Sequence, residues 1–228
     1  MDLAIIKQDF IRQISAFWYD SFVSEWDELD YYLETAVKTV EKVLEASHNK
    51  YYEQYGFNHT NSVQYCLFLY HLSHLIGTSA GGKSELIALA DRTYYLNKIM
   101  NGVDWYWGIE LPEYMMCEHP IGTVLGRASY GNYFFVYQGC TVGGNRKNGR
   151  LCYPSIGNFV LLYSNSKILG DSHIGNNVII AANTMIVDED IPDNAIVFGQ
   201  SPNLIIKKKT EEYVRNKMNH IWPQNKVD

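Results

Sequence analysis

The sequence predicts an α+β protein in which an all-α N-terminal domain is followed by a parallel β-helix built from hexapeptide repeats. Two changes along the chain support this prediction. Apolar residues recur at helical steps up to about residue 104, and at strict six-residue steps beyond residue 105. The chain is 46% apolar and 19% charged, which is typical of a folded protein, so a packed core is expected and a disordered chain is excluded.

Four amphipathic helices are expected in the N-terminal half, because apolar residues there fall on one helical face. Asn61 is a suitable N-cap for the third helix, and Gly77 is expected to end it. The fourth helix is expected to begin near Ser84 and to end at Asn101 and Gly102. The expected ranges are 3–22, 29–44, 61–77 and 84–102.

The second half carries a hexapeptide repeat. Its aliphatic positions are Ile156, Leu162, Ile168, Ile174, Ile180 and Ile186. An earlier run, Val124, Tyr130, Val136 and Val142, keeps the same step but is out of phase by two. Each unit of six is a short strand and a turn, and three units make one triangular coil with the aliphatic side chains inside. The change of phase predicts that residues 144–154 leave the coil as an excursion loop. An ordinary parallel sheet or a helical solenoid is disfavoured, because their repeats are longer.

These patterns divide the chain into three expected parts: the helical domain 1–104, the β-helix 105–206 and a C-terminal tail 207–228. The formal charge of −6 argues against nucleic acid as a partner. The absence of a long apolar run and the acidic N-terminus favour a cytoplasmic protein with no membrane span. The cysteines lack CxxC spacing, so we expect reduced thiols with no assigned chemistry: Cys66, Cys117, Cys140 and Cys152.

Residues 61–206 resemble the left-handed parallel β-helix acyltransferases, and among them the serine acetyltransferases. Three segments carry the resemblance: LYHLSHLI, MMCEHPIGTVLG and the run from YQGCTVGG to VFGQSP. The resemblance implies a left-handed β-helix, acetyl-CoA as cosubstrate, and assembly as a homotrimer or a dimer of trimers.

The sequence departs from this family at two places. Leu151, Cys152 and Tyr153 stand where the family has Asp-Arg-His, the positions implied to hold serine. In addition, nine positions separate Glu110 from His119, whereas the family's matching acid and histidine are one hexad further apart. The first departure weakens the expectation of a serine site, and the second leaves the partner of the histidine open.

His119 is the candidate general base for acetyl transfer, which needs a group that accepts the acceptor's proton. Taken alone, a histidine before a proline is more often a turn residue, but its place in the family-like segment favours catalysis. Glu110 is the preferred carboxylate partner, because it lies in a segment that resembles the family's Asp-Ile-His-Pro. Glu118 is the alternative, either as partner or as a contact to the acceptor, and both glutamates are equally compatible with plain surface charge.

Coenzyme A is expected to bind through backbone groups at small residues. Gly143 and Gly144 would allow close backbone approach, although they also suit a simple turn into the loop. Ser164 and Ala182 match small positions of the family, and Lys207, in a run with Lys208 and Lys209, is a candidate for the nucleotide phosphates. Arg150 and Tyr153 are the candidate acceptor-binding residues. Because no paired metal-ligand spacing occurs, no metal is expected.

Three functions remain open at this stage. The preferred one is acetyl transfer to a hydroxyl of a sugar or nucleotide sugar, because a tyrosine face suits a sugar ring. The alternative is a genuine serine O-acetyltransferase of cysteine biosynthesis, and the second alternative is a catalytically inactive oligomeric scaffold. No complex with cysteine synthase is expected, because Asp228 would bring a second negative charge into a pocket that takes an apolar terminal residue in that family.

Overall fold

The computed structural model describes residues 2–19, 21–48 and 56–226. The N-terminal half is helical, as predicted. Its helices are α1 (Leu3–Phe17), α2 (Phe22–Glu25), α3 (Leu29–Ala46), α4 (Ser62–Ser79) and α5 (Ser84–Asn101). Helix α4 is the central one, since most of its residues are buried on all sides.

The predicted helix signals are confirmed with two exceptions. The helix expected over residues 3–22 ends at Phe17, and Phe22 begins the separate short helix α2. The Asn61 side chain accepts hydrogen bonds from the backbone N–H groups of Val63 and Gln64, and Gly102 follows α5 in the left-handed conformation. Gly77, however, does not end α4, which continues to Ser79. A Cβ at position 77 would overlap the indole of Trp107, so this glycine makes room for a packed ring and is not a helix stop.

The second half is a left-handed parallel β-helix, as predicted. Its strands are β1 (Met115–Cys117), β2 (Val124–Leu125), β3 (Ser129–Tyr130), β4 (Phe134–Val136), β5 (Thr141–Gly143), β6 (Asn145–Lys147), β7 (Arg150–Cys152), β8 (Ser155–Ile156), β9 (Val160–Leu162), β10 (Lys167–Leu169), β11 (His173–Ile174), β12 (Val178–Ile180), β13 (Met185–Val187), β14 (Asp190–Ile191), β15 (Ala195–Gln200) and β16 (Asn203–Lys208).

The pairing of these strands gives the coil three faces. Face 1 stacks β1, β4, β9, β12 and β15, face 2 stacks β2, β5, β10 and β13, and face 3 stacks β3, β8, β11 and β14. Within each face the strands pair in parallel, so each circuit of the chain adds one coil. We call the turns from face 1 to face 2 corner 1, those from face 2 to face 3 corner 2, and those from face 3 back to face 1 corner 3.

The hexad pattern is confirmed by the register of the inward side chains. Val142, Ile168 and Ile186 pair in register on face 2 and are fully buried. In the first coil the prediction is wrong by one residue, because Leu125 pairs with Val142 and is buried, whereas Val124 is exposed. The reason is that the inward positions of faces 2 and 3 are five residues apart in the first coil (Leu125 and Tyr130), as they are in the fourth, but six residues apart in the third (Ile168 and Ile174).

The predicted excursion loop contains the antiparallel hairpin β6–β7, which projects from corner 2. Lys147 Nζ lies 2.9 Å from the Asp171 carboxylate, and the Asn145 side chain is 3.5 Å from Asp188. The hairpin therefore lies against the corner-2 turns of the coils that follow it.

The C-terminal segment, residues 203–226, runs back along corner 3 to the helical half, and we call it the strap. Its strand β16 pairs antiparallel with β15. Strand β16 therefore crosses the boundary that was predicted between residues 206 and 207. Helix α6 (Glu211–Met218) places the Arg215 guanidinium 3.2 Å from the centre of the Phe159 ring. Trp222 packs edge-on against Tyr133. Asp228 lies outside the described residues, so its predicted role in excluding a cysteine synthase complex stays a prediction.

The structure also describes the four cysteines and the apolar character of the helices. None of the four cysteines, all of which are described, forms a disulfide. Among the described ranges, no helix has both the length and the apolar character needed to cross a bilayer.

Candidate active site

His119 lies on corner 1 at the first coil, in a turn that is longer than those above it. Six residues, 118–123, connect the strands there, whereas four residues, 137–140, connect them in the second coil. The extra length carries His119 outward, and its side chain is 75% exposed. Its backbone has a positive φ of 50°, which few non-glycine residues adopt. This strained turn presents an imidazole to solvent at the edge of the coil.

Glu118 is the carboxylate that accompanies the imidazole. Its Oε1 lies 3.9 Å from His119 Nε2, which is too long for a hydrogen bond but within the range of an ion pair once the imidazole is protonated. The backbone N–H of Glu118 donates to the carbonyl of Val136, which fixes the start of the turn. A histidine beside a carboxylate, as His119 is beside Glu118, is an arrangement that could act as a general base with an electrostatic partner.

Above Glu118, two tyrosines stack along the same corner. The rings of Tyr137 and Tyr163 are 5.3 Å apart and almost parallel. Burial raises the pKa of Tyr137, and the neighbouring Glu118 carboxylate adds to this increase, so the phenol stays protonated at neutral pH. Neither ring was among the residues predicted from the sequence. They are 26 residues apart, and the excursion loop hides that they occupy equivalent positions in consecutive coils.

Ser164 and Ala182 continue corner 1 upward in the third and fourth coils. The backbone N–H of Asn183 donates to the Ser164 carbonyl at 3.0 Å, which places the two corners directly above one another. Both side chains are small, Ser164 is partly exposed and Ala182 is exposed. The structure thus brings His119, Glu118, Ser164 and Ala182 together on one corner of the coil.

The remaining loop residues of the predicted site lie on corner 2. A Cβ at Gly143 would have no neighbour within 4 Å, so this position is open to a ligand. A Cβ at Gly144 would come 2.9 Å from the Tyr153 ring, so packing of that ring accounts for this glycine. Arg150 is exposed on the hairpin. Arg127, which the sequence analysis did not single out, donates from Nη1 to the Tyr153 hydroxyl at 3.2 Å.

Glu110 and Lys207 lie away from both groups. Glu110 borders a cavity of about 560 Å³ that is lined also by Ser129, Tyr130 and Asn132, on the side of face 3. It is not among the carboxylates within 4.0 Å of the His119 ring; of the described residues, Glu118 alone is. Lys207 lies on β16, where its Nζ is 5.1 Å from the centre of the Phe198 ring. Within one chain, Glu110 therefore does not reach the imidazole that it was predicted to orient.

The two groups are separated by the width of face 2. Four residues of extended chain lead from Thr123 at corner 1 to Arg127 at corner 2, which corresponds to roughly 13 Å. One chain therefore holds His119 and Glu118 on one corner and Gly143, Arg150 and Tyr153 on the next. Within the described ranges, no group of three or more His, Cys, Asp or Glu side chains is arranged to hold a metal ion.

Comparison with known proteins agrees with this architecture. The family described as "Bacterial transferase hexapeptide (six repeats)" matches residues 153–188. Serine acetyltransferase from Synechococcus elongatus is 33% identical over 106 residues, which cover 46% of this chain and 43% of that protein. The chain thus matches less than two thirds of the length of such curated relatives.

Solved structures share the fold over most of the chain. The crystal structure of Neisseria gonorrhoeae serine acetyltransferase superimposes with a TM-score of 0.67 at 21% identity, covering 90% of this chain and 80% of that one. The same protein in complex with serine gives 0.62 at 24% identity, covering 85% and 80%. A serine acetyltransferase in complex with CoA gives 0.61 at 18%, covering 78% and 75%. At these identities the likeness shows the fold, which is that of a serine acetyltransferase-like β-helix.

Proposed function

We propose that this chain is an acetyl-CoA-dependent O-acetyltransferase that transfers the acetyl group to the hydroxyl of serine. The observation that carries the proposal is the Glu118–His119 pair on corner 1, at the foot of a line of small corner residues. The curated relatives named serine acetyltransferase, and a solved neighbour with serine bound, support this acceptor.

The proposed reaction is a direct transfer between two bound substrates. His119 accepts the proton of the acceptor hydroxyl while its oxygen attacks the thioester carbonyl. The C–O bond forms, the C–S bond breaks, and the coenzyme A thiolate leaves and takes the proton back from the imidazolium. Glu118, 3.9 Å from Nε2, stabilises the imidazolium between these two proton transfers. No acyl-enzyme intermediate is needed.

The residues present fit an extended thioester substrate along the coil. Ser164 and Ala182 leave the corner-1 backbone accessible, and Gly143 has open space where a side chain would stand. Backbone N–H and C=O groups at such positions can bind the amides of a pantetheine arm. Lys207, on the last strand, remains a candidate for the phosphates.

A second candidate function is acetyl transfer to a hydroxyl of a sugar or nucleotide sugar. It is favoured by Cys152 and Tyr153, which stand where the family has Arg and His, and by the partly exposed ring of Tyr153. The comparisons support the serine acceptor better than the sugar that the sequence analysis preferred, because the relatives and the solved neighbours reported above are serine acetyltransferases.

We also propose that the active species is a homotrimer or a dimer of trimers. The base on corner 1 and the acceptor-side residues on corner 2 cannot meet within one chain, because face 2 separates them. A cyclic arrangement that packs corner 1 of one copy against corner 2 of the next would complete three equivalent sites.

The test is thiol release from acetyl-CoA with L-serine and with a panel of amino sugars and nucleotide sugars, together with mass spectrometry of the product. Serine-dependent release with formation of O-acetylserine supports the proposal. Release only with a sugar would establish the second candidate, and binding of acetyl-CoA without transfer to any acceptor would identify an inactive scaffold.

A further inference from the structure

We propose that Arg127, held by Tyr153, binds the carboxylate of the acceptor, in a site that His119 of a neighbouring copy completes. The inference rests on the proposed function and deepens it, because it names the contact that would select an acceptor with a carboxylate. It also assigns the two sides of the site to different copies of the chain.

Arg127 presents a guanidinium without an acidic partner. Its Nη1 donates to the Tyr153 hydroxyl at 3.2 Å, and its Cζ lies 5.3 Å from the centre of the same ring. The residue is exposed, and no carboxylate of the described part of the chain lies within the 4.0 Å of an ion pair. Since a guanidinium has five N–H donors, the contact with Tyr153 leaves a donor pair for a ligand carboxylate.

Tyr153 gives this guanidinium a defined position. The ring packs so closely on Gly144 that a Cβ there would come within 2.9 Å of it. Tyr153 also follows directly after β7, so the hairpin fixes its backbone. An arginine that is already held on one side loses less conformational entropy when it binds an anion. This arrangement distinguishes Arg127 from Arg150, which is exposed on the hairpin itself.

The level of Arg127 along the coil matches the level of His119. Both residues belong to the first coil, on either side of strand β2. Rotation about an axis parallel to the coil moves a copy sideways but keeps every residue at its own level. When corner 2 of one copy packs against corner 1 of the next, Arg127 and His119 therefore meet at the same height. The hydroxyl and the carboxylate of serine are both carried close to one Cα, so one small acceptor can contact both residues.

The first experiment compares L-serine with serinamide, which lacks the carboxylate, in the wild type, Arg127→Gln and Arg150→Gln. We expect the wild type to prefer serine, and Arg127→Gln to raise KM for serine about 30-fold with little change for serinamide, because a charge-assisted hydrogen bond is lost. Arg146→Gln, which removes another exposed guanidinium of the same hairpin, is the matched control and should behave as the wild type, whereas Arg150→Gln tests the competing candidate. Arg127→Lys should recover part of the preference, since it restores the charge without the planar fork.

The outcomes separate this inference from the proposed function. A wild type that acetylates serine, with an unchanged serine preference in Arg127→Gln, would overturn the role of Arg127 alone. Loss of the preference in Arg150→Gln would assign the contact to that residue. A wild type that does not acetylate serine would overturn the proposed function and this inference with it.

The second experiment tests whether the two residues act from different copies. His119→Asn and Arg127→Gln chains, each carrying its own affinity tag, are produced together, and mixed oligomers are isolated. In every mixed trimer one of the three contacts between neighbours joins an intact His119 to an intact Arg127, so we expect about a third of wild-type turnover at low serine. Mixed oligomers with no more turnover than the two parent variants would show that both residues act within one chain.

Discussion

His119 Nε2 lies 3.9 Å from Glu118 Oε1, between residues that are neighbours in the sequence and share one turn of corner 1. A carboxylate adjacent to a histidine in the chain usually points away from it in a strand. Here the six-residue turn 118–123 and the positive φ of His119 bring the two side chains to the same side. This local geometry decides which glutamate accompanies His119 within one chain.

The first prediction concerns this pair. His119→Asn should lower kcat at least about 100-fold, because general base catalysis contributes on the order of 10² to 10⁴, while the Kd of coenzyme A should stay close to that of the wild type. Glu118→Gln should lower kcat more than Glu110→Gln, because Glu110 borders a separate cavity. Steady-state kinetics and calorimetric binding of coenzyme A provide the measurements. A larger loss in Glu110→Gln would show that a neighbouring copy supplies this carboxylate.

The second prediction concerns Gly143 as part of the coenzyme A site. A Cβ there meets no atom within 4 Å, and the backbone φ lies outside the left-handed region, so Gly143→Ala should change the free energy of unfolding by no more than about 0.5 kcal/mol. If pantetheine runs close to this backbone, KM for acetyl-CoA should rise about fivefold or more. An unchanged KM would indicate that Gly143 only turns the chain into the hairpin.

Much of the fold could be predicted from the sequence because its periodicities reflect repeated burial. One inward aliphatic residue per hexad is required by the triangular coil, and Ile168 and Ile186 follow that rule. The role of Gly77 could not be predicted, because a glycine near the end of an apolar run is compatible with both a helix stop and a close contact. Only the position of the Trp107 ring distinguishes the two.

The candidate site was harder to predict, because it depends on which turns lie above one another. His119, Ser164 and Ala182 came from motif positions, and the structure places them on one corner. Arg127 and Tyr153 are 26 residues apart and meet because they precede the paired strands β3 and β8 at equivalent positions of consecutive coils. A repeat that is interrupted by a loop does not reveal such contacts by its spacing.

The third prediction concerns pH and His71, on helix α4. Its Nε2 is buried and has no hydrogen-bond partner among the described residues. Burial lowers the pKa of His71 to about 4, and the neighbouring His74 adds to this decrease. The unfolded chain, with an ordinary pKa near 6.5, therefore binds the proton more readily than the folded chain. The contribution of neutral His71 to the free energy of unfolding is therefore fully present above about pH 6.5. It is lost progressively as the pH falls towards 4.

Urea unfolding at pH 7.5 and pH 5.0 measures this effect. The single group should contribute a loss of about 2 kcal/mol over that interval. His71→Gln, which removes the titrating group, should reduce the difference between the two pH values by that amount, whatever its stability at pH 7.5. The control is His173→Gln, which replaces a histidine whose side chain is 58% exposed on the β-helix. Equal pH dependence in wild type and His71→Gln would contradict the assignment.

The fourth prediction concerns the strap. Trp222 is 1% exposed and packs edge-on against Tyr133, so Trp222→Ala should lower the free energy of unfolding by about 3 to 5 kcal/mol. Tyr213→Ala is the control in the same segment, because that ring is 43% exposed and should cost about 0.5 kcal/mol or less. Urea unfolding followed by circular dichroism gives both values. A small effect of Trp222→Ala would mean that the strap is not a stabilising element.

The path of the strap also affects how the protein comes apart. In an open solenoid each coil contacts only its neighbours, so the outermost coil can fray while the rest stays folded. Here β16 pairs with the last coil, and the carbonyl of Ile221 at the far end accepts a hydrogen bond from the backbone N–H of His48, next to helix α3. The most distant coil is thereby connected to the first helices without passing through the coils between them. Unfolding of the last coil is therefore coupled to unfolding of the helical half. A β-helix without such a segment would have only contacts between neighbouring coils, so we expect this protein to unfold more cooperatively.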